Sequence, residues 1–79
     1  MPVSRIEKID ASGAVAQQVE LSTDGTYHCL HFGNNVETVH FTTLDDVANF
    51  LRANPKAGVR MNPGWSKISK SIYIDGVPR

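Results

Sequence analysis

The chain has one cysteine, Cys29, in 79 residues. A single thiol cannot close an intramolecular disulfide. The disulfide framework of small secreted domains is therefore excluded, and a reducing, cytoplasmic setting is expected. One cysteine also cannot build a Cys-rich zinc site. No apolar run approaches the roughly 20 residues of a membrane-spanning helix, so no membrane partner is expected. The opening Met1-Pro2-Val3-Ser4-Arg5 lacks the apolar core of a signal peptide. Neither end of the chain carries a lipidation pattern. There is no Gly-rich phosphate loop and no Gly-x-Ser-x-Gly elbow, and no motif calls for a cofactor. An excess of one charge is missing too. Eight Lys and Arg balance eight Asp and Glu, which argues against non-specific duplex binding as the protein's main task.

What is present reads as a small folded domain. The 41% hydrophobic content, with three Phe, two Tyr and one Trp, is too apolar for a disordered chain. A domain this short buries only roughly 60% of the surface its unfolded chain exposes. It therefore has little room for a deep pocket.

The first half reads as a β-meander. Val15 to Ser22 alternates apolar and polar residues, Asp24-Gly25 is a two-residue hairpin signal, and Thr26 to Phe32 follows. Gly33-Asn34-Asn35 marks a second turn before a strand over Val36 to Thr42. With Asp24-Gly25 and Asn34-Asn35 as the loops, Val19 opposes Leu30 and Leu30 opposes Val39. Val19, Leu21, Leu30, Phe32, Val39 and Phe41 then share one face. Upstream, Val3 to Ile9 is expected as another strand, turned by Asp10-Ala11-Ser12-Gly13.

The helix signal lies over residues 43–53. Thr43 suits the N-cap, Asp45 and Asp46 suit the first turn, and Leu44, Val47, Ala48 and Leu51 form one apolar stripe. Asn54-Pro55 ends it. Val59 to Met61 and Ser71 to Asp75 alternate again, with turns at Asn62-Pro63-Gly64 and Asp75-Gly76. The expected fold class is α+β in a single domain over residues 1–79. It consists of a small, mostly antiparallel sheet carrying one α-helix, about 44–53, on one face. The sheet is a meander of three to four strands plus a C-terminal strand pair.

Two constellations could carry chemistry. On the polar side of the expected meander, Cys29 opposes Glu20 and His40, with His31 beside it. These groups could hold a metal, or the histidines could activate Cys29 as a thiolate. The alternative is that they form the solvated side of a half-exposed sheet. The second constellation is a charge asymmetry. Residues 1–40 carry a net charge of −3 and residues 41–79 a net of +3. Arg52, Lys56, Arg60, Lys67 and Lys70 follow one another with no acid between, interleaved with Trp65. Cations around an indole suit an anion or a single-stranded nucleic acid, which stacks bases on aromatics and lays phosphates on basic groups.

From the sequence, the preferred function is a non-enzymatic binding module for a protein partner or for self-association. A chain this small, with open sheet edges, offers surfaces rather than cavities. The alternative is a single-stranded nucleic-acid module using the segment from Arg52 to Lys70 with Trp65. A third class is a metal or thiol site at Cys29, His31 and His40. Asp45 and Asp46 diverge around a helix and read as capping residues rather than an acid–base pair.

Overall fold

A computed structural model describes residues 2–79. The described residues contain eight strands and one α-helix. The strands are β1 Ile6–Ile9, β2 Val15–Val19, β3 Tyr27–Phe32, β4 Val36–Phe41, β5 Gly58–Asn62, β6 Trp65–Ser66, β7 Ile72–Ile74 and β8 Val77–Pro78. The helix, α1, is Leu44–Ala53, and a single 3₁₀ turn spans Ser69–Ser71. Every strand pairing is antiparallel, in the order β4-β3-β5-β2-β1-β7-β8, with β6 also on β5. The α+β class stands, with more strands than the sequence pattern marked. No helix among the described residues is long and apolar enough to cross a membrane.

The centre of the sheet is β5. Its Gly58 and Val59 pair with Leu30 and Cys29 of β3, and its Met61 and Asn62 pair with Val19 and Gln18 of β2. Val59 and Arg60 pair with Ser66 and Trp65 of β6. This corrects the expected meander, in which β2 and β3 were hairpin partners. Val15-Ala16-Gln17-Gln18-Val19 has too few apolar residues on either face to fix a register by burial. It pairs instead with β1 and with the apolar β5. The expected C-terminal strand pair is likewise replaced: β7 pairs with β1 and β8, not with β5.

The turns explain part of this. Asp24-Gly25 does not form a two-residue loop. The Ser22 N–H donates to Thr26 O and the Gly25 N–H to Ser22 O, and only Gly25 has positive φ. This is a three-residue loop with glycine in the left-handed position. Asp10 to Ala14 repeats the arrangement with Gly13. In each case the aspartate locks the loop with its own carboxylate. Asp10 Oδ1 accepts from Ser12 N and Oγ and from Ala14 N, and Asp24 Oδ1 accepts from Thr26 N and Oγ1. The two-residue turn with positive φ at both central positions is Asp75-Gly76, between paired Ile74 and Val77.

The second expected register is corrected by one residue. Phe32 opposes Val36, so Gly33-Asn34-Asn35 is a three-residue loop. Tyr27 then opposes Phe41, Cys29 opposes Val39, and His28 opposes His40. A one-residue slip sends each side chain to the other face. Cys29 faces inward and is fully buried, whereas Leu30 and Phe32 leave the core face on which the pattern had put them.

Helix α1 forms as its sequence requires. Thr43 Oγ1 accepts from the Asp46 N–H at 3.2 Å, and Asn54 ends the helix with its backbone N–H on Phe50 O. Val47, Ala48 and Leu51 are buried with Ile6, Cys29, Val59, Met61, Ile72 and Ile74 to form the core. Phe41 and Phe50 pack at its edge with ring centroids 5.2 Å apart. Asp45 does more than complement the helix dipole, because its Oδ1 accepts from the Val3 N–H at 2.8 Å. Asp75 Oδ1 holds the N–H groups of Ser4 and Arg5. Two carboxylates thus tie the N-terminal segment to the helix start and to the β7–β8 turn.

Two outcomes follow. A Cβ on Gly58 would lie 2.9 Å from the Ser66 carbonyl oxygen. Gly58→Ala should therefore lower stability by about 1–3 kcal/mol, read as a lower urea midpoint at unchanged slope. An unchanged midpoint would contradict the close approach of β5 and β6. The Ser12 hydroxyl, with the Ala14 N–H, holds the exposed Asp10 carboxyl below its usual pKa. Its stabilisation is complete above the unfolded carboxyl pKa and is lost as pH falls through the folded value. Asp10→Asn should thus be less stable than the native chain at pH 7, and the gap should narrow below about pH 4.

Candidate ligand-binding face

The site is built from the outer side of the β3–β5–β6 region. Along β5, Val59 and Met61 are buried in the core and Arg60 and Asn62 are exposed, while Gly58, on the Arg60 side of the alternation, is covered by Ser66 and Lys67. Trp65 directly opposes Arg60, so its indole stands on the same outward face. Lys67 continues from β6 along that face, beside Gly58, and its Nζ lies 4.8 Å from the centre of the Phe32 ring. Phe32, displaced outward by the observed β3–β4 register, becomes part of the face that β5 and β6 define.

Arg60 and Trp65 line a cleft of about 430 Å³ together with Glu20, Leu21, Asn62 and the Pro63-Gly64 turn. The Asn62-Pro63 bond is cis, and Gly64 has a φ of 76°. The Gln17 side-chain amide donates to Pro63 O, and the Met61 N–H to Gly64 O. This turn forms one wall of the cleft. Trp65 is 40% exposed and Leu21 is 55% exposed, an apolar pair that solvent reaches. The Asn62 Nδ2 donates to Glu20 Oε2 at 3.0 Å, which fixes a carboxylate beside the indole. At the other end of the face, Lys56 lines a shallow hollow with Phe32, Ala53, Asn54 and Pro55. The Arg79 guanidinium donates to Pro55 O and Lys67 O, joining the loop after α1 to the segment after β6.

The basic segment therefore divides. Arg60, Trp65 and Lys67 come together, with Lys56 across Phe32. Arg52 is exposed in the last turn of α1, and Lys70 is exposed on the 3₁₀ turn. No known protein family, curated protein or solved structure matches this chain. What the face can do must be read from its own groups: stacking on Trp65 and Phe32, anion contacts at Arg60, Lys67 and Lys56, and acceptance of hydrogen bonds at Glu20.

The expected convergence of Glu20, Cys29, His31 and His40 is not formed. Cys29 and His40 lie on opposite faces, because Cys29 opposes Val39 and His40 opposes His28. His31 packs on the helix side, its ring 6.0 Å from Phe50. Burial pushes the Cys29 thiol up to about 12, and the charge of Arg79 offsets only part of that. The thiolate needed for nucleophilic or metal chemistry is disfavoured. The group that does converge is Asp24, His28 and His40. Cysteine's strong tendency to be buried was the signal for the correct face, since a core Cys29 forces His28 outward.

Alkylation of Cys29 in the folded chain at pH 8 should accordingly be slow and should accelerate when urea unfolds it. A folded-state rate matching that of a free cysteine would contradict the buried placement.

Proposed function

We propose that this chain is a non-enzymatic binding module whose ligand is a single-stranded nucleic acid laid across the outer face between Trp65 and Phe32. The observation that carries the reading is the direct opposition of Arg60 and Trp65 at the cleft. Lys67 is on the same face, beside the second aromatic ring. A base stacks on an exposed indole whatever its identity, and a guanidinium beside it takes the adjoining phosphate. Glu20 repels phosphate but accepts hydrogen bonds from base amino groups, as carboxylates do at cytosine N4. It therefore favours a base rather than the backbone inside the cleft. The two aromatic positions set the ends of the track, and the cations between and beside them set its charge.

The charge count bounds the strength. Arg60, Lys67 and Lys56 allow three phosphate contacts, which correspond to a slope of about −2 in log K against log salt for a single strand. Binding is then modest and moderately salt-sensitive, in keeping with a chain of zero formal net charge.

A protein partner or a second copy is a separate reading, supported by β4. It ends the strand order, runs six residues without proline or lysine, and pairs with β3 alone among the described residues. Such an edge can accept an added strand.

Fluorescence titration with a mixed single-stranded oligonucleotide pool tests the primary reading. Trp65 emission should quench, and Trp65→Ala should weaken binding by about 1–3 kcal/mol, roughly 5- to 150-fold. Arg60→Ala and Lys67→Ala should each flatten the salt slope by about 0.7, and Lys70→Ala should leave it unchanged. Absence of binding at low salt, together with a sedimentation coefficient that rises with protein concentration, would favour the β4 edge instead.

A further inference from the structure

The group formed by Asp24, His28 and His40 is independent of the nucleic-acid reading. Residues His28 and His40 are directly opposed on neighbouring antiparallel strands, which brings their Cβ atoms to about 4.5–5.5 Å. Their imidazole rings stack almost parallel, with centroids 4.3 Å apart and planes 15° apart. Asp24 reaches them from the turn before β3. Its two carboxylate oxygens have separate tasks: Oδ1 accepts from the Thr26 N–H and hydroxyl, and Oδ2 meets His28 Nε2 at 3.0 Å. One oxygen orients the carboxylate and the other faces the imidazoles. Orientation of a ligating carboxylate by neighbouring hydrogen bonds is how protein metal sites hold their ligands. No Lys or Arg forms an ion pair with Asp24 among the described residues.

One ligand atom from each of the three residues lies within 4.8 Å of the others. Tetrahedral zinc with bonds of about 2.0–2.2 Å needs ligand atoms roughly 3.3 Å apart. The remaining closure is a side-chain rotation, and His40, exposed on the end strand, is free to make it. The rings sit on the outward face, so solvent supplies the ion and no core packing is disturbed.

We propose that Asp24, His28 and His40 form a binding site for one divalent transition-metal ion of the zinc class. Two imidazole nitrogens and one carboxylate oxygen are the donor set of that class. The fourth tetrahedral position is left open to water or to an anionic ligand. The ligating form of His28 is the neutral imidazole that carries its one hydrogen on Nδ1, so that the Nε2 lone pair and Asp24 Oδ2 both face the metal. A ring that carries its hydrogen on Nε2 reaches this form by moving that hydrogen to Nδ1 through solvent.

The test is titration of the full chain with zinc chloride, followed by calorimetry and by imidazole and amide NMR. One ion per chain is expected, with shifts confined to residues 24–28 and 38–40. His28→Asn, His40→Asn and Asp24→Asn should each weaken binding by at least about the 10- to 100-fold that loss of an outer-shell partner costs. His31→Asn, on the opposite face, should bind as the native chain does. No shift at millimolar zinc overturns the proposal. So does unchanged affinity in His40→Asn, an exposed position whose replacement leaves the fold intact, or loss of binding in His31→Asn.

Discussion

The structure depends on a single strand being paired on both sides while its own side chains complete the core. Val59 of β5 opposes Cys29 on one edge and Ser66 on the other, and is itself fully buried. Met61, two residues on, is buried and opposes Val19. Through these pairings β5 joins strands from the first half of the chain to the C-terminal segment. Its exposed residues Arg60 and Asn62 line the candidate face, and Gly58 lies beneath Lys67 beside them. From Val59 to Met61 the strand alternates regularly, so burying Val59 and Met61 displays Arg60. The core and the face are two sides of the same constraint.

Around that strand, carboxylates do the local fixing. Asp10 and Asp24 lock two loops of the same type, Asp45 ties the N-terminal segment to the helix, and Asp75 ties it to the last turn. Arg79 closes the other side through the carbonyls of Pro55 and Lys67. The long-range ties matter in a domain of 79 residues, where burial alone leaves a narrow margin. They hold the chain's ends against elements far away in sequence. The outer face, in contrast, keeps groups that the fold does not consume: the indole of Trp65, the guanidinium of Arg60 and the stacked imidazoles of His28 and His40.

Much of the local structure was legible in the residues. The helix was written in Thr43, the apolar stripe and Asn54-Pro55, all of which act over a few residues. Turns at Asp10–Gly13, Asn62–Gly64 and Asp75-Gly76 were legible for the same reason. Pairing was not, because it depends on competition between distant segments. The run Val15–Val19 has no decisive apolar face, and nothing local says that β5, some forty residues away, is a better partner than β3. The loop at Gly33-Asn34-Asn35 shows the cost of one residue. Counted as two residues it turns Cys29 outward beside His40, and counted as three it buries Cys29 and pairs His28 with His40. Of the site, Arg60, Trp65 and Lys67 were legible as a cluster. Phe32, Glu20 and the separation of Arg52 and Lys70 emerge only from the sheet order.

The central position of β5 is tested most directly by an NMR map of cross-strand proton contacts around it. The sheet order requires contacts from Val59 to both Cys29 and Ser66, from Met61 to Val19, and from His28 to His40. A continuous ladder joining Val19 to Leu30 and Leu21 to His28 would contradict it. It would restore the simple meander, return Cys29 to the polar face and dissolve the arrangement that displays Arg60 beside Trp65.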